Sequence, residues 1–171
     1  MRTFTAGHGT KTGEELVRIL RKAKVERVVD VRRYPGSRRN PQFNQGALAE
    51  TLAAARIGYR HLEALGGQRS GEAGEDRFGC IRPAGFASYA ARMGTREWRE
   101  ALTTALDDPA PCFLCAETDW RRCHRKLIAE LLVARGHEVL HLLPDRVERH
   151  RLSDEAEVRH GRLYLCGALV A

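Results

Sequence analysis

Residues 27–36 read RVVDVRRYPG, and this stretch decides the fold class. Val28, Val29 and Val31 make a β-branched run that is too short for a helix and apolar on both faces. That is the pattern of a strand buried inside a parallel sheet. The run breaks off into arginines and a Pro35-Gly36 turn, so the carboxyl end of the strand opens on a polar loop. On its amino side, Thr12-Gly13-Glu14-Glu15 has the form of a capping box, and Leu16, Ile19, Leu20 and Ala23 follow at helical spacing. Before that helix, Thr3–Ala6 reads as a first strand ending in Gly7-His8-Gly9.

The alternation continues downstream. Asn44 is placed to cap a helix carrying Leu48, Leu52 and Ala55, and Gly58–Leu62 reads as a third strand. Residues 66–85 hold six glycines and form the longest irregular segment, of the kind that is often functional or mobile. Phe86, Tyr89, Ala90 and Met93 define one helix face, and Thr95 caps a second helix with Trp98, Leu102 and Leu106. Pro111–Cys115 is the fourth strand. A helix is expected from about Trp120 to Arg135, with Leu127, Ile128, Leu131 and Leu132 inward and Gly136 stopping it. Glu138–Leu143 is the fifth strand, closed by Pro144; Leu163–Leu165 suits an edge strand or hairpin. This pattern predicts a single α/β domain over residues 1–171. It would have three layers, a mainly parallel sheet of about five strands with helices on both faces, in the Rossmann-like manner. Such sheets bind ligands beyond the carboxyl ends of their strands. His8, Arg32, Arg33, the glycine-rich segment and Cys115–Arg125 all follow strands at that one edge.

Composition narrows the chemistry. The 171 residues carry a formal net charge of +7, and 25 of the 29 basic residues are arginine. Such a balance suits an acidic partner, a phosphate-bearing small molecule or a nucleic acid, although an arginine-rich, alanine-rich bias also arises from base composition alone. No apolar run nears the roughly 18 residues of a membrane span, and the first residues lack signal-peptide anatomy, so the expected location is cytoplasmic, with no membrane partner. The five cysteines, at 80, 112, 115, 123 and 166, show no disulfide rhythm. Cys80 and Cys166 have no polar company and are expected to be structural. Cys112 and Cys115, three apart on a strand, point to opposite faces and form neither a redox couple nor half a zinc site. His61 could line the functional edge, His137 and His141 flank a strand, and His150 and His160 are expected in solvent.

At the same residues the chain resembles a known family. AGHGT at 6–10, DVRRYPGSRRNPQFN at 30–44, YRHLEALGG at 59–67 and CAETDWRRCHR at 115–125 occur in that order. Together they resemble domain-of-unknown-function family 488 over roughly residues 3–143, leaving 144–171 as a C-terminal extension. The family name records no activity. Its pattern is matched here by His8, by Asp30, Val31 and Arg32, by Arg38, and by Cys115, Glu117, Cys123, His124 and Arg125. Gly9 stands where members often carry serine.

Three chemistries compete for the segment LCAETDWRRCHRK at 114–126. Cys115 and Arg121 have the C-x5-R spacing of loops that hold an oxyanion against a thiolate, though Glu117 and Asp119 would repel an anion there. Alternatively Cys123, in the first turn of the helix beside His124 and Arg125, is the reactive thiol. The second chemistry is metal binding. No metal is favoured and no cofactor is required; a metal, if held, would be zinc on Cys115, Cys123, His124 and His8. The third is phosphate recognition by Arg32, Arg38, Arg121 and Arg125, with Tyr34 and Phe43 stacking on a base. Against it, the arginines could pair with Asp30, Glu117 and Asp119 to lock the loops.

The leading expectation is an enzyme acting on a phosphate-bearing substrate, a nucleotide or nucleic acid. Arginines would fix the anion, and Cys115, Glu117, Cys123, His124, His8 and Asp30 would supply nucleophilic or acid–base chemistry. The alternatives are a nucleic-acid-binding module without catalysis and a zinc-binding regulatory domain.

Overall fold

Arg27–Asp30 forms a strand buried on both faces (β2), with Val28 and Val29 fully removed from solvent. The computed structural model describes residues 1–67 and 71–171. β1 (Arg2–Gly7) leads to α1 (Gly13–Lys22), whose capping box is complete. The Thr12 hydroxyl accepts from the Glu15 amide at 3.1 Å, and the Glu15 carboxylate accepts from the Thr12 amide at 2.7 Å. After β2 come α2 (Gln45–Ala54) and β3 (Gly58–His61), then α3 (Ala84–Met93) and α4 (Arg96–Leu106). β4 (Pro111–Cys115), α5 (Arg125–Ala134) and β5 (Glu138–Leu142) complete the alternating part. The long irregular segment contains a short 3-10 turn at Glu75–Phe78; its residues 68–70 lie outside the described residues.

The strands form a six-stranded sheet in the order β3-β2-β4-β1-β5-β6. The first five are parallel, and β6 (Val147–Arg149) is antiparallel on the β5 edge. This sixth strand was not expected: its three residues are too polar and too short to stand out. β7 (Ala156–Arg159), β8 (Arg162–Leu165) and β9 (Ala168–Leu169) make a separate antiparallel sheet. The protein is thus mixed α/β, with five α-helices among the described residues.

Period-2 alternation splits the apolar residues into two clusters. Val28, Cys112 and Leu114 join Leu16, Leu20, Leu48 and Leu52 of α1 and α2. Val29, Phe113 and Cys115 join α3, α4 and α5, along with Leu163, Leu165 and Val170. The chain steps from β1 to β2 in one direction and from β4 to β5 in the other. With right-handed crossovers, opposite directions send α1 and α5 to opposite clusters. β4, lying between β2 and β1, therefore ends where the two directions diverge.

Several local expectations need correction. Asn44 stands at the start of α2, but its side-chain oxygen accepts from the Ser37 amide at 2.6 Å, so it braces the preceding turn and does not cap the helix. The helix expected from Trp120 begins at Arg125. Trp120–Arg122 make a 3-10 turn and Cys123 is extended, with φ −125° and ψ 146°. Cys80 and Cys166 are joined in a disulfide with Cα atoms 5.8 Å apart; a separation of 86 residues gives the sequence no way to show it. Among the described residues no helix is long and apolar enough to cross a membrane.

Candidate functional site: a cysteine–histidine cluster

Cys115 is the last residue of β4, and its side chain falls in the cluster with α5. The chain then crosses exposed Ala116–Asp119. The Asp119 carboxylate accepts from the Arg121 amide at 3.0 Å, which starts the 3-10 turn. That turn brings the chain back over the sheet, so extended Cys123 sets its sulfur beside Cys115 and His124 opens α5. The two Sγ atoms and a ring nitrogen of His124 all lie within 4.8 Å of one another.

Hydrogen bonding orients His124. Nε2 lies 3.1 Å from the carbonyl of Val31, which can only accept, so Nε2 carries the hydrogen. Nδ1 therefore faces the Cys123 sulfur, 3.7 Å away. Tyr89 supports the ring at a centroid distance of 4.9 Å. Gly67 closes the other side, where an added Cβ would come within 2.6 Å of Nδ1.

The two thiols are pushed in opposite directions. Cys115 is held well above the ordinary thiol range by its hydrogen bond to Cys123 and by burial. For Cys123 burial acts in the same upward sense, but it is outweighed, and the group is held well below that range. The hydrogen bond from Cys115, the adjacent His124 and the guanidinium of Arg125 all favour its thiolate. Arg125 Nε donates to the Cys123 sulfur at 3.3 Å, and Nη2 donates to the Glu117 carbonyl. The pair is one proton shared unequally between two sulfurs.

A cleft of about 250 Å³ opens over this pair. Cys115, Cys123 and His124 line it, with Phe86 and Tyr89 on the apolar side and Arg33, Tyr34, Glu117 and Arg122 among the polar groups. Arg122 is exposed and has no ion-pair partner among the described residues.

Arg32 also lines the cleft, but it and the other residues expected at the site are largely engaged with the protein itself or lie off the cleft. Asp30 accepts from Arg32 Nε at 2.8 Å and Nη2 at 2.5 Å, and from the Tyr59 hydroxyl at 2.8 Å. A fully buried carboxylate so occupied is a lock on the loop and no general base. Arg32 spends its remaining Nη1 on the Phe43 carbonyl, 2.8 Å away, and on His8 Nε2, 3.3 Å away, so it has no fork left for an anion. His8 stacks on Phe43 at 4.3 Å. Burial, with Arg32 adding to it, lowers the His8 pKa to about 4 against the pull of the Gly9 carbonyl. Its alternation parity is that of Phe4 and Ala6, which puts it on the α1 side, away from the thiols. Phe43 is fully buried and offers no face to a base, whereas Tyr34 is 64% exposed under the Arg33 guanidinium. Arg121 pairs with Glu148 and lies over Trp120, so the C-x5-R spacing does not build an anion cradle. Arg125 is buried against the thiol, and Arg38 is exposed without lining the cleft. Gly9, the departure from the family's serine, has φ +53° and faces the Thr118 side chain closely, which accounts for glycine there.

Sequence reasoning brought the segments of Gly67 and Arg122 to this edge, Gly67 without a role of its own, and missed Tyr89, which it read only as part of a helix face. His141 and His150, expected to be ordinary or solvated, are buried.

No curated protein and no solved structure matches the chain. The family model for domain of unknown function DUF488 matches residues 12–132, a range that holds both cysteines of the cluster, His124, Arg32 and Asp30 but leaves His8 outside. The chain belongs to the DUF488 family.

Proposed function

We propose that the protein is a thiol enzyme in which the Cys123 thiolate attacks a phosphate-bearing substrate seated in the cleft. The two cores and the divergence of crossovers at β4 are read here as a Rossmann-like three-layer frame, with the site at its switch point. One observation carries the reading. A thiol biased toward thiolate stands within reach of a second, protonated thiol and an oriented imidazole, on the floor of a cleft. That combination suits nucleophilic catalysis. Arg33 and Arg122 at the rim and the net charge of +7 favour an anion. In the reaction the Cys123 sulfur bonds to phosphorus and the ester P–O bond breaks. The leaving oxygen takes the Cys115 proton, relayed through His124 Nδ1, and water then cleaves the P–S bond, releasing phosphate and returning the Cys123 thiolate and the proton of Cys115. Glu117, exposed at the same rim, is available to bind that water.

The test is turnover of aryl phosphates, nucleotides and short RNA and DNA, with mass spectrometry for a phosphorylated Cys123. Cleavage that is lost in Cys123→Ser, with a trapped adduct on the wild-type chain, supports the proposal. Cleavage that survives Cys123→Ser overturns it. Salt-dependent nucleic-acid binding without turnover would point to a binding module. Near-stoichiometric zinc, lost in Cys115→Ser, would assign the cluster as metal ligands.

A further inference from the structure

Behind the cluster lies a second set of polar groups that the proposed chemistry does not use. Thr5, Arg125, Glu130, His141 and His150 are each 3% exposed or less. They come from β1, the start and the middle of α5, β5 and the residue after β6. Sheet register sets Thr5 beside His141, and their side chains bond at 2.7 Å. Arg125 Nη1 lies 3.4 Å from the Thr5 oxygen. His141 Nε2 lies 2.9 Å from His150 Nδ1, and His150 Nε2 lies 3.5 Å from Glu130. Glu130 also accepts from the Ser153 amide at 3.2 Å. Trp120 stacks flat on His141 at 3.9 Å, sealing the chain of bonds from above.

The direction of every bond follows from one end. Arginine has donors only, so the Thr5 oxygen accepts from Arg125 and its single hydrogen goes to His141 Nδ1. His141 then carries its hydrogen on Nε2 and donates to His150 Nδ1, which leaves His150 Nε2–H beside Glu130, 3.5 Å away, with no formed hydrogen bond between them. A neutral His141 agrees with this order: burial, with repulsion from His150 and Arg125, lowers its pKa to about 2. The chain of bonds cannot carry protons to the thiol, because arginine does not give one up. What it can do is hold the guanidinium.

We infer that His150, His141 and Thr5 are positioning residues that fix Arg125 with its Nε against Cys123, and so set the thiolate character of that cysteine. The inference rests on the thiol reading above. Around the sulfur stand Cys115 from β4, His124 and Arg125 from the start of α5 and Tyr89 from α3. Of these, Arg125 is the permanent cation, and among the described residues no carboxylate pairs with it. Its anchors are the Glu117 carbonyl and Thr5.

The experiment is the pH dependence of Cys123 alkylation by iodoacetamide in the full chain, resolved by peptide mapping, with Tm measured alongside. The wild-type midpoint is expected well below that of an ordinary thiol. Thr5→Val, which removes the shared hydroxyl at constant shape, should raise it by about one pH unit, and Thr5→Ser should restore it. His150→Phe, two links further away, should raise it in the same direction and keeps the test open if Thr5→Val does not fold. A lowered Tm with an unmoved midpoint in the folded variants would make the network merely structural and overturn the inference. An ordinary midpoint in the wild-type chain would overturn the thiolate reading itself, and the inference with it.

Discussion

Cys115 and Cys123 are the same side chain in one buried pocket, and their surroundings decide which keeps the proton. Cys115 ends a strand and has the Ala116 amide and a second sulfur for company; Cys123 precedes a helix and meets His124 and a buried guanidinium. Cys112, three residues from Cys115 but facing the other core, has no second sulfur beside it, and burial pushes it up to about 12 against the opposing influence of Arg125. Replacing Cys115 by alanine removes the hydrogen bond that stabilises the Cys123 anion. The alkylation midpoint of Cys123 should then rise by about one pH unit, read by the same peptide-resolved assay. Gly67→Ala tests the imidazole. Its Cβ would press on His124 Nδ1 at 2.6 Å, tilting the ring from Val31, and should slow thiolate reaction about tenfold, or ~1.4 kcal/mol in the barrier. An unchanged rate would separate His124 from the chemistry.

At the scale of elements, the strands and caps were legible because their signals are local. The valines of β2, the Thr12 and Thr95 caps and the alternation that parts Cys112 from Cys115 each depend on a few adjacent residues. The two-residue loops His160-Gly161 and Cys166-Gly167 were legible in principle too. All four residues have positive φ, as tight hairpins require, and X-Gly between short alternating runs marks them. The 3-10 turn at Trp120–Arg122 was not legible: the run from Trp120 to Arg135 has helical spacing, and the break depends on Asp119 taking the Arg121 amide. The site was half legible for the same reason. Sequence order brought the motif residues to one edge, but only side-chain pairing shows that Arg32, Arg121 and Arg125 are already occupied. The Cys80–Cys166 link is the clearest non-local case. It ties the β8–β9 hairpin, which with the following Val170 brings Leu163 and Leu165 to the α5 core, to the turn before α3. Closing a loop of that length should stabilise the fold by about 2–4 kcal/mol. Mild reduction, or Cys166→Ser, should lower the urea midpoint accordingly and raise hydrogen exchange in residues 156–171 first.

For the whole molecule, the buried titratable groups predict a stability dome. His8 and His141 are held neutral, with pKa values of about 4 and about 2 against an ordinary 6.5. Below pH 6.5 the unfolded chain takes up protons at both rings that the folded chain refuses, so acid favours unfolding. Their contribution is complete above 6.5. For His8 it is lost as pH falls through about 4, and for His141 the loss continues to lower pH. At about 1.4 kcal/mol per unit, each ring costs on the order of 3 kcal/mol between pH 6.5 and 4, a large share of a typical 5–15 kcal/mol. The alkaline side has the opposite sign. Cys112 and Cys115 keep their protons in the folded state above the ordinary 9.0, so their contribution is present below that value and is lost as pH rises toward the folded values. Urea midpoints from pH 4 to 11 should therefore peak near neutrality and fall on both sides. Cys112→Ala should flatten the alkaline limb without touching the acid one. A midpoint unchanged from pH 7 to 4.5 would mean that His8 and His141 can charge in place. The Asp30–Arg32 lock beside His8 and the bond order through His141 would then have to be redrawn.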